Sequence, residues 1–313
     1  MRVHAAALNH LDLFMLAGLP GVSIAPGWVM GADATGIIDA IGDKVSSVAT
    51  GDRVVINPGI SDGTCEFCVA GEQSMCVRFK LLGEHLPGTL ADYVVVPERN
   101  VRRIPDAISI EEAAAFTLAN LTAWRMLVTR ARVGPDDDVL IWGIGGGVSQ
   151  AALRIAKQHG AHVWVTSGSD EKLERARQLG ADETLNHRTM NVAKEIRAGT
   201  GKRGVSIVID SVGRATWESS LRALGHGGRL VTCGGTAGPM VETDVRRLFW
   251  NQWTIMGSTM GNDAEFSAVV EQLEAGRLMP VIDSVHELEN GREAFERLAA
   301  GDQFGKIVVK VGS

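Results

Sequence analysis

From Asp138 onward the chain alternates two textures. Compact apolar runs stand at 139–142, 163–166, Val205–Asp210, 229–233 and 253–257, with a shorter one at 183–185. Between most of them lie stretches with apolar residues at helical spacing: 149–159, 170–179, 192–198 and 216–224. Strands this uniformly apolar are covered on both faces. Strands alternating with helices call for a parallel sheet with right-handed crossovers. The pattern predicts an α/β unit built on a doubly wound, six-stranded parallel sheet.

The first 105 residues read differently. Short apolar runs are cut by Gly and Pro turn signals, and 29–41, Arg53–Ile56 and 91–96 read as strands of a mainly antiparallel β unit. Residues 111–131 read as helix. Near the end Asp263 reads as a helix N-cap, Gly276 as its stop, and 306–311 as a last strand.

Where the first apolar run of the α/β part ends, Gly143-Ile144-Gly145-Gly146-Gly147-Val148 leads straight into a helical pattern. Such a turn brings main-chain N–H groups and a helix N-terminus up to a phosphate, and side chains there would block the approach. Gly143, Gly145, Gly146, Gly147 and Val148 are therefore candidate dinucleotide contacts. Val148 and then Ser149 follow where the strict pattern wants a third glycine, so the turn alone also fits an ordinary glycine-rich connection. The surrounding sheet favours the nucleotide.

Composition narrows the field. A chain of 313 residues has room for two domains with their own cores. Net charge is −6 without a long basic run, which argues against nucleic acid or an anionic membrane as main partner. The apolar stretch 5–19 is interrupted by Asn9, His10 and Asp12, so it reads as neither signal peptide nor membrane span. Three of four cysteines cluster at Cys65, Cys68 and Cys76, which suggests metal before disulfide and a cytoplasmic, reducing location.

The chain resembles the medium-chain dehydrogenase/reductase superfamily, which holds zinc alcohol dehydrogenases and zinc-free quinone oxidoreductases. The resemblance spans nearly the whole chain. It is carried by Ala5-Ala6-Ala7-Leu8-Asn9-His10-Leu11-Asp12, Gly31-Ala32-Asp33, Gly51-Asp52-Arg53-Val54, Cys65-x2-Cys68-x2-Gly71-x4-Cys76, Leu121-Thr122-Ala123-Trp124, the glycine turn, Asp210-Ser211-Val212-Gly213 and Phe304-Gly305-Lys306. It implies a GroES-like β domain from residues 1–119 and 262–313, with a Rossmann domain, 120–261, inserted. It also implies a homodimer or homotetramer joined through 253–257. Family members usually begin about two strands earlier, so either the natural start lies upstream or the domain tolerates an unusual edge.

For a catalytic zinc, the resemblance places the ligands at positions held here by Asn9, Ala32-Asp33 and Leu118. Asn9 and Leu118 are not zinc ligands, Ala32 has no donor, and Asp33 alone cannot hold the ion. Leu11 and Phe14 occupy the proton-relay positions. No catalytic zinc is expected. The structural lobe of the family has the spacing C-x2-C-x2-C-x7-C, which reads here Asp62, Cys65, Cys68, Cys76. Aspartate is an acceptable donor, so a Cys3Asp structural zinc is expected, with a vestigial loop of three thiols as the alternative. Cys233, ending an apolar run, reads as a buried small hydrophobe.

After the second strand an acidic residue would mark NAD. Ser167 takes that place, and Ser169 and Lys172 follow, a set that suits a 2′-phosphate. NADP(H) is expected, with NAD(H) open through Asp170, which otherwise reads as a helix cap. Val212 and Gly234 are further cofactor contacts by resemblance, and Lys306 a neutraliser of the pyrophosphate. The expected chemistry is metal-free hydride transfer from the nicotinamide to a small electrophile, a quinone or an α,β-unsaturated carbonyl. Asn9 would donate to the developing oxygen, Thr122 would touch the nicotinamide, and Asp33 would orient polar groups. Tyr93 reads as a strand residue with a bonded hydroxyl. Two competing readings are an alcohol or aldehyde dehydrogenase, and an NADPH-binding protein without catalysis.

Overall fold

The computed structural model describes residues 1–19 and 24–312. Its internal contacts divide the chain into two units, Met1–Leu121 with Met260–Ser313, and Thr122–Thr259.

The first unit is built on a six-stranded sheet in the order Ile282–Glu287, Lys306–Lys310, Arg2–Ala7, Asp33–Ile37, Arg53–Ile56, Val101–Arg103. Only the first pair is parallel; the others are antiparallel. Side chains alternate across the strands. Val3, Ala34, Val54, Ile56 and Val101 share one apolar cluster. Ala5, Ala7 and Val308 meet Ala114 and Ala115 in another.

Several sequence expectations need correction here. The strand at 29–41 shrinks to Asp33–Ile37, because Gly31 sits at φ +93, outside extended backbone, and an added Cβ would lie 2.6 Å from Thr89 Oγ1. Residues 91–96 form no strand. They bond the chain start through Val3 N to Asp92 O, Val94 N to Met1 O and the Met1 amino group to Val94 O, before Pro97 removes a donor. Tyr93 makes an isolated bridge to Arg2 and its side chain is exposed. The helix at 111–131 breaks into Ile110–Ala114, Thr117–Trp124 and a wider-wound Arg125–Ala131. A Ser109–Glu112 capping box starts the first piece. The second starts afresh, with its first-turn Leu118 N–H aimed at Asp33. Asn262, not Asp263, caps the helix Asp263–Glu274. Its Oδ1 accepts from Glu265 N while Glu265 Oε2 accepts from Asn262 N.

The second unit holds six parallel strands in the order Thr254–Gly257, Leu224–Thr232, Val205–Asp210, Asp138–Ile141, His162–Ser167, Glu183–Asn186. The short run at 183–185 is thus a true strand. Helices Gly147–Gln158, Asp170–Gln178, Val192–Gly199 and Trp217–Ala223 connect them. Val139, Leu140, Ile141, Val163, Val165, Ile207 and Val208 are wholly buried, as strands covered on both faces must be. The strand order turns back at Asp138–Ile141, which has His162–Ser167 on one side and Val205–Asp210 on the other. Open α/β sheets bind ligands outside the carboxyl ends of strands at such a switch point. Among the described residues no helix is long and apolar enough to cross a membrane.

Candidate active site

The glycine turn lies at that switch point. Gly143 adopts φ +67, a conformation that favours glycine, and its N–H donates to Thr166 Oγ1 at 3.2 Å. Ile144 N donates to Thr166 O, and Gly146 N to Gly143 O. Gly146 caps the helix Gly147–Gln158. Ser149, following Val148, turns its hydroxyl inward to Trp142 O at 2.8 Å. A Cβ built on Gly143 meets nothing within 4 Å, and one on Gly146 nothing nearer than 3.7 Å. The protein's own packing therefore does not demand glycine at 146. Open space faces a helix start whose first N–H groups have no intrahelical acceptor.

Neighbouring strand ends converge on this region. Asp210 is wholly buried and fixes the next turn: Oδ1 accepts from Val212 N and Gly213 N, and Oδ2 from Thr216 and Ser220 hydroxyls. Gly234 follows the strand Leu224–Thr232. A cavity of about 410 Å³ is lined by Trp142, Gly143, His187, Val212, Thr216 and Ser219.

At the second strand's end Ser167 is buried and its Oγ accepts from Ser169 N. Ser169 is the helix N-cap, accepting from Lys172 N at 3.3 Å. Asp170, read from sequence as the cap, is the first helical residue, and its Oδ1 accepts from Asn186 Nδ2 at 2.7 Å. The side-chain contact that sequence reasoning missed is Arg188. A Cβ on Gly168 would fall 2.6 Å from Arg188 Nε, so the guanidinium lies directly against the segment 167–169. Its signal was available: it is the first basic residue after the third strand. Cys233 is half-buried rather than buried, and burial, with Asp210 nearby, pushes its thiol up to about 12, which makes it unreactive.

In the first unit Asn9, Asp33 and Lys306 form one buried cluster. Lys306 Nζ donates to Asn9 Oδ1 at 2.5 Å and to Asp33 Oδ2 at 2.8 Å. Lys306 is 5% exposed and Asp33 0%. Asn9 Nδ2 donates to Asp33 Oδ2 at 3.1 Å and to Ala7 O at 3.3 Å. Asp33 Oδ1 accepts from Leu118 N at 2.7 Å, at the start of helix Thr117–Trp124, where the helix dipole favours a carboxylate. Two sequence readings change. Both N–H groups of Asn9 already have acceptors, so Asn9 has no free donor for a substrate. Lys306, assigned from sequence to the pyrophosphate, has partners of its own inside this cluster. Thr122 belongs to the second unit and is buried.

Asp12 closes the cluster's floor. Its two oxygens accept from Asn9 N at 2.8 Å and Gly31 N at 3.0 Å. Burial nevertheless pushes its carboxyl up to about 6. The sign of the consequence is fixed. The folded state holds this proton more tightly than the unfolded chain, so stability is full below the ordinary carboxylate range. It falls as pH rises towards 6, by about 3 kcal/mol for a shift of about two units. Denaturant midpoints between pH 4 and 7 should show this slope, and Asp12→Asn should flatten it. An equal slope in the variant contradicts the assignment.

A second cluster occupies the loop 62–76. One ligand atom each from Asp62, Cys65, Cys68 and Cys76 lies within 4.8 Å of the others. Asp62 Oδ1 accepts from Thr64 N and Cys65 N, which hold its carboxyl well below the usual range. Arg78 N and Asp62 N both donate to Cys76 Sγ at 3.3 Å. Three sulfurs and a carboxylate at these separations fit a tetrahedral zinc.

The chain is similar to known proteins over nearly its whole length. The profile of the alcohol dehydrogenase GroES-like domain matches residues 1–106, and that of the zinc-binding dehydrogenases matches residues 147–275. An NAD-dependent alcohol dehydrogenase of Sulfolobus acidocaldarius is 32% identical over 99% of this chain and 91% of its own. The quinone oxidoreductase of Homo sapiens is 28% identical over 99% of this chain and 88% of its own. A crystal structure of an NAD-dependent alcohol dehydrogenase superposes with a TM-score of 0.94 at 44% identity, covering 99% of this chain and 91% of that one.

Proposed function

Since the chain belongs to the medium-chain dehydrogenase/reductase family of oxidoreductases, we propose that it reduces a small conjugated electrophile, a quinone or an α,β-unsaturated carbonyl, with hydride from NADPH and without a catalytic metal. The observation that carries this reading is the Asn9–Asp33–Lys306 cluster. The residues at the positions of the family's catalytic ligands offer three side-chain oxygens: Asp33 Oδ1 already accepts from Leu118 N, and an ammonium lies 2.5 and 2.8 Å from Asn9 Oδ1 and Asp33 Oδ2. That donor set does not fit a divalent cation. An acceptor that is polarised by conjugation needs less Lewis-acid help than alcohol oxidation does, which is why this chemistry suits the cluster.

The pyrophosphate would sit at Gly143–Val148, with the helix Gly147–Gln158 behind it. Val212 and Gly234 stand at neighbouring strand ends. Ser167, Ser169, Lys172 and Arg188 would take the 2′-phosphate. When bound, the cofactor supplies the hydride; the protein's part is to hold and orient it and to stabilise the charge that develops. A second reading, NAD(H) with an alcohol or aldehyde, is favoured by Asp170 and by relatives named NAD-dependent alcohol dehydrogenases. Turnover of enones, quinones and alcohols with each cofactor, before and after exhaustive chelation, separates the two. The proposal expects chelator-resistant reduction with NADPH at least about tenfold better than NADH. Chelator-sensitive alcohol oxidation with NAD points to the second reading, and dinucleotide binding without turnover to a protein that only binds it.

The loop 62–76 would hold a structural zinc that ties it to the sheet. The edge strand Thr254–Gly257 has no partner on its outer side among the described residues, and Phe249 and Trp250 beside it in sequence are exposed. This edge would join two copies in a cytoplasmic homodimer. Native mass spectrometry should show two chains and one zinc per chain. A metal-free monomer contradicts both points, and two zinc ions per chain contradict the metal-free catalytic centre.

A further inference from the structure

Dinucleotide folds choose between NAD and NADP at the end of the second strand. In this chain one buried amide governs two groups there. Asn186 ends the third strand, Glu183–Asn186, and pairs in register with Ser167 at the end of the second. It is 9% exposed. Its Nδ2 donates to Asp170 Oδ1 at 2.7 Å, and its Oδ1 accepts from Arg188 N at 3.0 Å. The partners fix the orientation of the amide, since a carboxylate has nothing to donate and a main-chain N–H nothing to accept with. Beyond this anchor Arg188 is exposed, and its side chain lies against Gly168. A Cβ on Gly168 would fall 2.6 Å from Arg188 Nε and 3.1 Å from its Cδ. The backbone of Gly168 is outside the left-handed region and suits any residue, so the glycine makes room for the arginine.

We infer that Asn186 is a positioning residue that sets the cofactor preference: it holds back the Asp170 carboxylate that NAD would use, and it anchors beside Gly168 the Arg188 cation that NADP needs. This rests on the reading of the segment 167–172 as the 2′-phosphate site. Two chemistries compete at that point. A ribose 2′-hydroxyl donates, and a carboxylate accepts from it. A 2′-phosphate is an anion, repelled by a carboxylate and matched by the fork of a guanidinium. For Asp170 to serve NAD, its bond to Asn186 must open, which leaves a buried N–H without an acceptor. NADP asks for no such change. Glu171, the neighbouring carboxylate, is exposed and screened by solvent. The guanidinium of Arg188 makes no hydrogen bond or ion pair among the described residues, so it is available to a phosphate.

The test is calorimetric titration of NADPH and NADH into the full-length protein and its variants, beside a thermal scan of each. Asn186→Leu removes both bonds of the amide and keeps a side chain of similar size. It should bind NADPH about tenfold more weakly, as Arg188 loses its anchor, and NADH about threefold more tightly, as Asp170 is released. Adding Asp170→Ala to Asn186→Leu should cancel the gain for NADH, which a merely structural role of Asn186 would not do. Asp170→Ala alone should bind NADH within about threefold of wild type, because the carboxylate is already withheld. Gly168→Ala leaves the amide intact and displaces Arg188, so NADPH alone should weaken, again by about tenfold. Should Asn186→Leu fail to fold, Asp170→Ala and Gly168→Ala still decide. Unchanged affinities, or equal losses of both dinucleotides, in folded Asn186→Leu overturn the inference. So does NADH binding that weakens in Asp170→Ala, or NADPH binding that Gly168→Ala leaves unchanged. A wild type that prefers NADH overturns the 2′-phosphate reading itself, before any variant is made, and this inference with it.

Discussion

Gly146→Val should fold normally and lose the dinucleotide. The position has extended backbone, φ −84 and ψ 153, which valine adopts readily, and an added Cβ meets no protein atom nearer than 3.7 Å. Gly146 is also the helix cap, so substitution there costs at most about 1 kcal/mol of stability. What valine would fill is the space in front of the first-turn N–H groups. NADPH affinity should therefore drop by more than about tenfold, equivalent to about 1.4 kcal/mol or more, while the melting temperature moves by a few degrees at most. Calorimetric titration beside a thermal scan reads both. Unchanged affinity in a folded variant means that the phosphate does not lie at this turn.

Asp33→Ala should be among the most destabilising single changes in the first unit. It strands the Lys306 ammonium and leaves Leu118 N–H and one Asn9 N–H without their acceptor. Breaking a buried ion pair by removing one partner costs about 3–5 kcal/mol. Asp33→Asn keeps an acceptor oxygen, and Lys306→Met/Asp33→Asn removes both charges, so both should be milder than Asp33→Ala. Lys306→Met separates a charge effect from lost packing: it keeps nearly the same volume yet strands the Asp33 carboxylate, so it should be less stable than the double variant. Denaturant midpoints give the ranking, and a cost below about 1 kcal/mol for Asp33→Ala contradicts the geometry described.

The parallel sheet was legible because its signal is local. Uniform apolar runs such as Val205–Asp210 and a glycine turn opening an amphipathic helix leave few alternatives. The β unit was less so. Residues 91–96 have the composition of a strand, but pairing depends on where the first strand's edge lies, which no local pattern encodes. The breaks within 111–131 follow from Leu118 N reaching Asp33, a contact across 85 positions. The cysteine cluster was readable from spacing alone, since loop ligands lie close in sequence. The Asn9–Asp33–Lys306 cluster was not. Each residue was singled out, but their meeting depends on strand Lys306–Lys310 pairing with strand Arg2–Ala7, ends of the chain almost 300 residues apart. Arg188 was missed for the same reason: its contact with Gly168 follows from third-strand pairing.

The most direct test is a single turnover. Protein stripped with chelator is loaded with NADPH and mixed rapidly with an enone or quinone, and nicotinamide absorbance is followed. The account predicts saturable oxidation of the bound cofactor to about one equivalent per chain, abolished in Gly146→Val. Bound NADPH that no acceptor oxidises, or oxidation that returns only when metal is restored, contradicts it.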